Sequence, residues 1–143
     1  GQPAILLDVA HNPDSITKLT EYLQQHFSHQ NWHLVFSCSQ DKQVVEMLDI
    51  LIDKFKSITL TQFHNNPRAV NCGALLEIAK LSATQNKSNA TGTLQAESDP
   101  IRGISHIEQN ADSADLIVVA GSFYLIAECR EQLIEKSQSG TKQ

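Results

Sequence analysis

Asp8 and His11 fall between a short apolar run, Ile5-Leu6-Leu7, and a helix-start signal, Asn12-Pro13-Asp14. A carboxylate can accept hydrogen bonds from hydroxyls, and an imidazole can pass protons near neutral pH. Lys42, Arg68 and Ser122 each follow a further apolar run. A lysine, an arginine, a serine and a histidine beside helix N-termini form a surroundings suited to carboxylates or phosphates. In open α/β sheets, ligands bind outside the carboxyl ends of the strands. If the strands are parallel, Asp8, His11, Lys42, Arg68 and Ser122 share one rim.

The elements that must carry them read as follows. Ile5 to Leu7 form a strand expected to be buried on both faces, since no polar residue alternates with them. Asn12 caps the next helix and Pro13 takes its first position, where a missing N–H costs nothing. Ile16, Leu19, Leu23 and Phe27 recur at helical spacing, so the helix covers about 13–26. His33 to Phe36 are a second strand, and Asp41 is expected to cap a second helix bearing Val44, Leu48, Leu51 and Phe55. Ser57 to Phe63 read as a third strand, at an edge because polar residues interrupt it. A third helix covers about 73–83. Residues 84–98 carry almost no apolar side chain and read as a polar surface loop around a short strand near Leu94.

Asp99-Pro100 repeats the cap-then-proline signal ahead of Ile101, Ile104 and Ile107. Leu116 to Ala120 form a wholly apolar strand, as a central parallel strand should be. Gly121-Ser122 lead into a last helix, and 136–143 form a polar tail. Alternating strands and helices predict an α/β fold: a Rossmann-like, three-layer, doubly wound and mostly parallel sheet with helices on both faces. The domain is placed at 1–135.

Composition narrows the function classes. The 143 residues suit one domain, and a net charge of −5 with no basic stripe gives no nucleic-acid footprint. No apolar run approaches the ~18 residues of a membrane span. The chain opens almost at once on a core strand, which is the expectation for a piece of a longer protein. Cys38, Cys72 and Cys129 are odd in number and unpaired in spacing, so reduced thiols and a cytoplasmic setting are expected. His26, His29 and His33 do not share a face, so no metal site is assigned to them. His64 and His106 read as surface residues. No Gly-x-x-x-x-Gly-Lys phosphate loop occurs in these residues.

Leu7-Asp8-Val9-Ala10-His11-Asn12-Pro13 resembles the Asp-Gly-Ala-His-Asn-Pro motif of folylpolyglutamate and dihydrofolate synthases, with Val9 in place of a glycine. Asp41-Lys42, Asn66-Pro67-Arg68-Ala69 and Val119-Ala120-Gly121-Ser122-Phe123-Tyr124-Leu125 resemble later segments of that family, in the same order. The resemblance implies the C-terminal, glutamate-ligase domain of a Mur ligase-type enzyme. Such enzymes join an amino acid to a carboxylate through an acyl phosphate made from ATP. It further implies that Asp8 and His11 meet ATP, that His11, Asn12, Lys42 and Ser122 bind the incoming glutamate, and that His11 acts in catalysis. Arg68, from its place on the same rim, is expected as an additional anion contact. The implied partners are an N-terminal ATPase domain of the same protein, ATP, glutamate, and a folate or dihydropteroate, with the enzyme a monomer. ATP and Mg2+ serve the full-length enzyme, the magnesium ligands lying outside this chain. The rival reading is a non-catalytic, doubly wound regulatory or interaction module; a Gly-Lys-Ser phosphate loop upstream in the reading frame separates the two.

Overall fold

The computed structural model describes residues 1–86 and 91–141, with side chains to residue 137. Five strands alternate with five helices: β1 (Ala4–Leu7), α1 (Pro13–His26), β2 (Trp32–Phe36), α2 (Val44–Leu51), β3 (Ser57–Leu60), α3 (Cys72–Gln85), β4 (Thr93–Ala96), α4 (Pro100–Asn110), β5 (Leu116–Ala120) and α5 (Phe123–Thr141). The sheet order is β1-β5-β2-β3-β4, and every pairing is parallel. On one face, Leu19 and Leu23 of α1, Leu48 of α2 and Leu75 of α3 pack on Leu34, Ile58 and Val118. On the other, Ile104 and Ile107 of α4 and Leu125 and Ile126 of α5 pack on Val35, Ile117 and Val119. The doubly wound, three-layer α/β architecture is therefore the observed one, and the sheet is parallel throughout. Each fully buried leucine- or isoleucine-sized side chain is worth about 1.5–3 kcal/mol, so both layers contribute substantially.

Helix starts follow their local chemistry. Asn12 Oδ1 accepts the Ser15 N–H at 2.8 Å, and Ser15 Oγ accepts the Asn12 N–H at 3.1 Å, a reciprocal cap with Pro13 behind it. Asp99 Oδ1 accepts the Ile101 N–H at 3.0 Å ahead of α4.

Five expectations need correction. β1 is an edge strand paired only with β5, and Ile5, Leu6 and Leu7 are half-buried. An apolar run reports that a strand meets core, and is silent on which neighbours it has. β3 lies between β2 and β4, so it is interior. Its polar residues are satisfied inside the sheet, where the Gln95 Nε2 amide donates to Thr59 Oγ1 at 2.9 Å. Within 84–98 the short strand expected near Leu94 is present as β4, 93–96, and extends the sheet, but 84 and 85 complete α3 and are not loop. Residues 87–90 of that segment lie outside the described residues. Asp41 does not cap α2, which starts behind Gln43 with no side-chain cap. The helix α5 runs through 136–141, so the polar tail continues it.

Candidate ligand site at the carboxyl rim of the sheet

Parallel strands place the loops after β1, β2, β3 and β5 on one edge, and backbone hydrogen bonds then tie those loops together. The Asp8 N–H donates to Val119 O at 2.9 Å, and Asp8 Oδ1 accepts the Ala10 N–H at 2.8 Å. The Gly121 N–H donates to Ala10 O at 2.9 Å. Residues from the two ends of the chain thus form one turn-on-turn contact. On the other side, Gln40 N–H donates to Arg68 O at 2.8 Å and Val70 N–H to Cys38 O at 3.1 Å.

Gly121 is what allows β5 to deliver Ser122 here. Its φ is +116°, and a Cβ at this position would lie 2.0 Å from Ser37 O and 2.8 Å from the Phe36 ring. Only a residue without a side chain meets both demands.

These loops enclose a cavity of about 130 Å³. His11, Lys42 and Ser122 converge on it, as the sequence predicts. Ser39, Gly121, Phe123 and Tyr124 complete the wall. Of these, the last three sit in the Gly-Ser-Phe-Tyr segment, so that segment held the missed signal; Ser39 had none. The His11 ring projects from an exposed turn, with Nδ1 3.1 Å from Val9 O. A carbonyl can only accept, so Nδ1 carries the proton and Nε2 is the free nitrogen. Ser122 Oγ accepts the Tyr124 N–H at 3.0 Å, which caps α5 and leaves the hydroxyl proton to donate elsewhere. Lys42 has no carboxylate partner among the described residues.

Three predicted residues lie outside the cavity wall. Asn12 is not in the cavity wall, because its Oδ1 is committed to the α1 cap. Arg68 is exposed on the neighbouring loop, also outside the wall. Asp8 is also outside the wall, with Oδ2 free of partners among the described residues. Beneath the rim, burial pushes the Cys38 thiol up to about 12, aided by Asp41 and opposed by Lys42, so it stays protonated. Phe63 and Tyr124 pack with ring centroids 5.4 Å apart, and Asn65 Nδ2 donates to Tyr124 O at 3.1 Å, which fixes the first turn of α5. A wider groove of about 800 Å³ at the opposite edge, by Trp32 and Phe55, holds none of the predicted residues.

Residues 1–132 match the family described as dihydrofolate synthetase, C-terminal domain. The chain belongs to this family. A curated relative, the dihydrofolate synthase/folylpolyglutamate synthase of Bacillus subtilis (strain 168), is 30% identical over 131 residues. That match covers 92% of this chain and 28% of the relative, so the chain spans under a third of that protein. A solved bifunctional folylpolyglutamate synthase/dihydrofolate synthase with Mn, AMPPNP and L-glutamate bound superposes at a TM-score of 0.73 with 26% identity, over 92% of this chain and 29% of that one. E. coli FolC in complex with DHPP and ADP superposes at 0.78 with 20% identity, over 93% and 29%, and shares the fold. In each of these proteins the matched part is under a third of a longer chain. Among the described residues no helix is long and apolar enough to cross a membrane.

Proposed function

We propose that this chain is the C-terminal domain of an ATP-dependent ligase that adds glutamate to a folate or dihydropteroate. The observation that carries it is the convergence of Lys42, His11 and Ser122 on one small cavity, with Lys42 unanswered by any carboxylate among the described residues. A dicarboxylate supplies the missing anion. The Lys42 ammonium and the Ser122 hydroxyl proton are donors suited to its carboxylates, and charge-assisted bonds of this kind are the strong ones. The named relatives and the structure holding L-glutamate and AMPPNP support the same substrates.

The parent enzyme first transfers the γ-phosphoryl group of ATP to a folate carboxylate, releasing ADP. The glutamate amine then attacks the acyl carbon, the bond to phosphate breaks, and the amine loses a proton. His11 Nε2 faces this region unpaired and is the group on this chain able to receive that proton. The cavity walls hold amine and acyl phosphate together, which is most of what such a step requires. Asp8 Oδ2 remains available for the ribose hydroxyls of ATP. Asn12 serves chiefly by holding the start of α1, and Arg68 offers a peripheral cation. No cluster of three or more metal-ligating side chains occurs among the described residues. Mg2+ would neutralise the triphosphate in the full-length enzyme, with its ligands supplied by the N-terminal ATPase domain of the same protein. The enzyme acts as a cytoplasmic monomer.

The test is steady-state kinetics of the parent enzyme carrying Lys42→Ala. Removing a hydrogen bond to a charged group costs about 1.5–3 kcal/mol, so KM for glutamate should rise roughly ten- to a hundredfold. KM for ATP should stay within about twofold, which is the noise of such a comparison. Equal rises for both substrates would show that the cavity does not bind glutamate.

A further inference from the structure

The opposite, amino-terminal edge of the sheet carries a second set of chemically matched groups. Ser57 opens β3, His33 lies beside it in register on β2, and Asp115 directly precedes β5. His33 is 6% exposed and Asp115 3%. His33 Nδ1 is 2.8 Å from Ser57 Oγ, and His33 Nε2 is 2.8 Å from Asp115 Oδ2. Asp115 Oδ2 also accepts the Asp112 N–H at 3.3 Å, so the carboxylate is the acceptor in this array. The proton between imidazole and carboxylate then sits on Nε2, and Nδ1 is left to accept the Ser57 hydroxyl proton. Hydroxyl, base and orienting carboxylate stand in the order that activates a nucleophile.

A cavity of about 220 Å³ opens on this array. Ser57 and His33 are in its wall, with Lys56, His106 and Gln95 around them. Ser57 is half-buried and so reachable from the cavity. Lys56 has no ion-pair partner among the described residues, and Gln95 Nε2 commits one hydrogen to Thr59. Those groups can meet negative charge that develops on an acyl oxygen.

We propose that Ser57 is an acyl-accepting nucleophile and that this cavity cleaves small carboxylic esters, preferring acyl groups that carry a negative charge. Ser57 Oγ bonds to the acyl carbon while its proton moves to His33 Nδ1. The bond to the alcohol breaks, and the alcohol leaves with that proton. Water then attacks the acyl-Ser57 ester, giving its proton to His33, and the carboxylic acid is released as Ser57 Oγ takes the proton back. Asp115 is a positioning residue that holds the ring and steadies its transient charge.

The test is labelling of the full-length protein with a fluorophosphonate, which phosphonylates an activated serine with loss of fluoride, followed by peptide mass spectrometry. Ser57 is expected to carry the label in native protein and to lose it in urea, where the array is gone. Ser57→Ala should abolish that label, and Asp115→Asn should slow it by about a hundredfold, in the range for a disturbed general base. Thermal melts of both variants accompany the labelling. No label on Ser57 in the native protein would overturn the proposal, and needs no variant to be read. Equal labelling in native and denatured protein would overturn it too. Variants that melt early while the native serine stays unlabelled would mean that the three residues only clamp β2, β3 and β5 together.

Discussion

Replacing Gly121 with alanine tests how tightly the rim is built. At a φ of +116° an alanine is strained, and residues held in such regions cost about 1–3 kcal/mol. The added Cβ would also stand 2.0 Å from Ser37 O and within 2.9 Å of two atoms of the Phe36 ring. A backbone oxygen cannot rotate away, and Phe36 is fully buried, so β2 and β5 must separate locally. Forcing extra volume into a packed site costs about 1–3 kcal/mol more. The expected loss is therefore roughly 2–6 kcal/mol, the sum of those two ranges. At about 3 °C of melting temperature per kcal/mol for a domain of this size, the midpoint should fall by roughly 6–18 °C. Urea unfolding followed by circular dichroism gives the free energy directly. In the parent enzyme the same change should raise KM for glutamate, because Gly121 also donates to Ala10 O and so sets Ser122 against the His11 turn. A variant within about 1 kcal/mol of the parent chain, the usual effect of a point substitution, would refute this reasoning.

Other expectations follow from single contacts. Ser122→Ala removes both the α5 cap and the cavity hydroxyl, so stability should fall by about 1 kcal/mol and glutamate binding weaken, with KM for ATP steady; unchanged kinetics would confine Ser122 to capping. Asn12→Ala should cost about 1 kcal/mol in urea unfolding, with little change in KM for glutamate beyond what the loosened turn causes; a large KM effect at full stability would return Asn12 to the binding site. Cys38 and Cys129, both buried with thiols pushed up to about 12, should resist a thiol reagent in native protein while half-buried Cys72 reacts. Their folded pKa lies above the ordinary 9.0, so their contribution is intact below that pH and stability should decline as pH rises from there toward about 12; a flat profile would contradict their burial. The 143-residue chain alone should unfold cooperatively and release no ADP from ATP, since it has two packed layers and no phosphate loop; steady ADP production would overturn the assignment of ATP chemistry to the rest of the parent enzyme.

What the sequence discloses here depends on how local the physics is. Asn12-Pro13 and Asp99-Pro100 could be read as helix starts because a cap is made by residues within one turn of each other. Leu116 to Ala120 could be read as a central strand because burial on both faces leaves no room for polar residues. The same rule misplaced β1, whose apolar residues report only the faces and not the unpaired edge. It marked only a short strand near Leu94 for β4, because Thr93 and Gln95 look like loop residues until β3 supplies the ladder. Parallel order was enough to put Asp8, His11, Lys42, Arg68 and Ser122 on one edge. It could not divide the rim into cavity wall and periphery, because that depends on which loops bond to each other. The Ser39–Ala69 bridge holds Arg68 on an outer loop, whereas the bond from Gly121 to Ala10 draws Ser122 toward His11. The Ser57, His33 and Asp115 array lay outside sequence reading for the same reason: its members come from three separate strand starts and meet only through the pairing of β2 with β3 and β5.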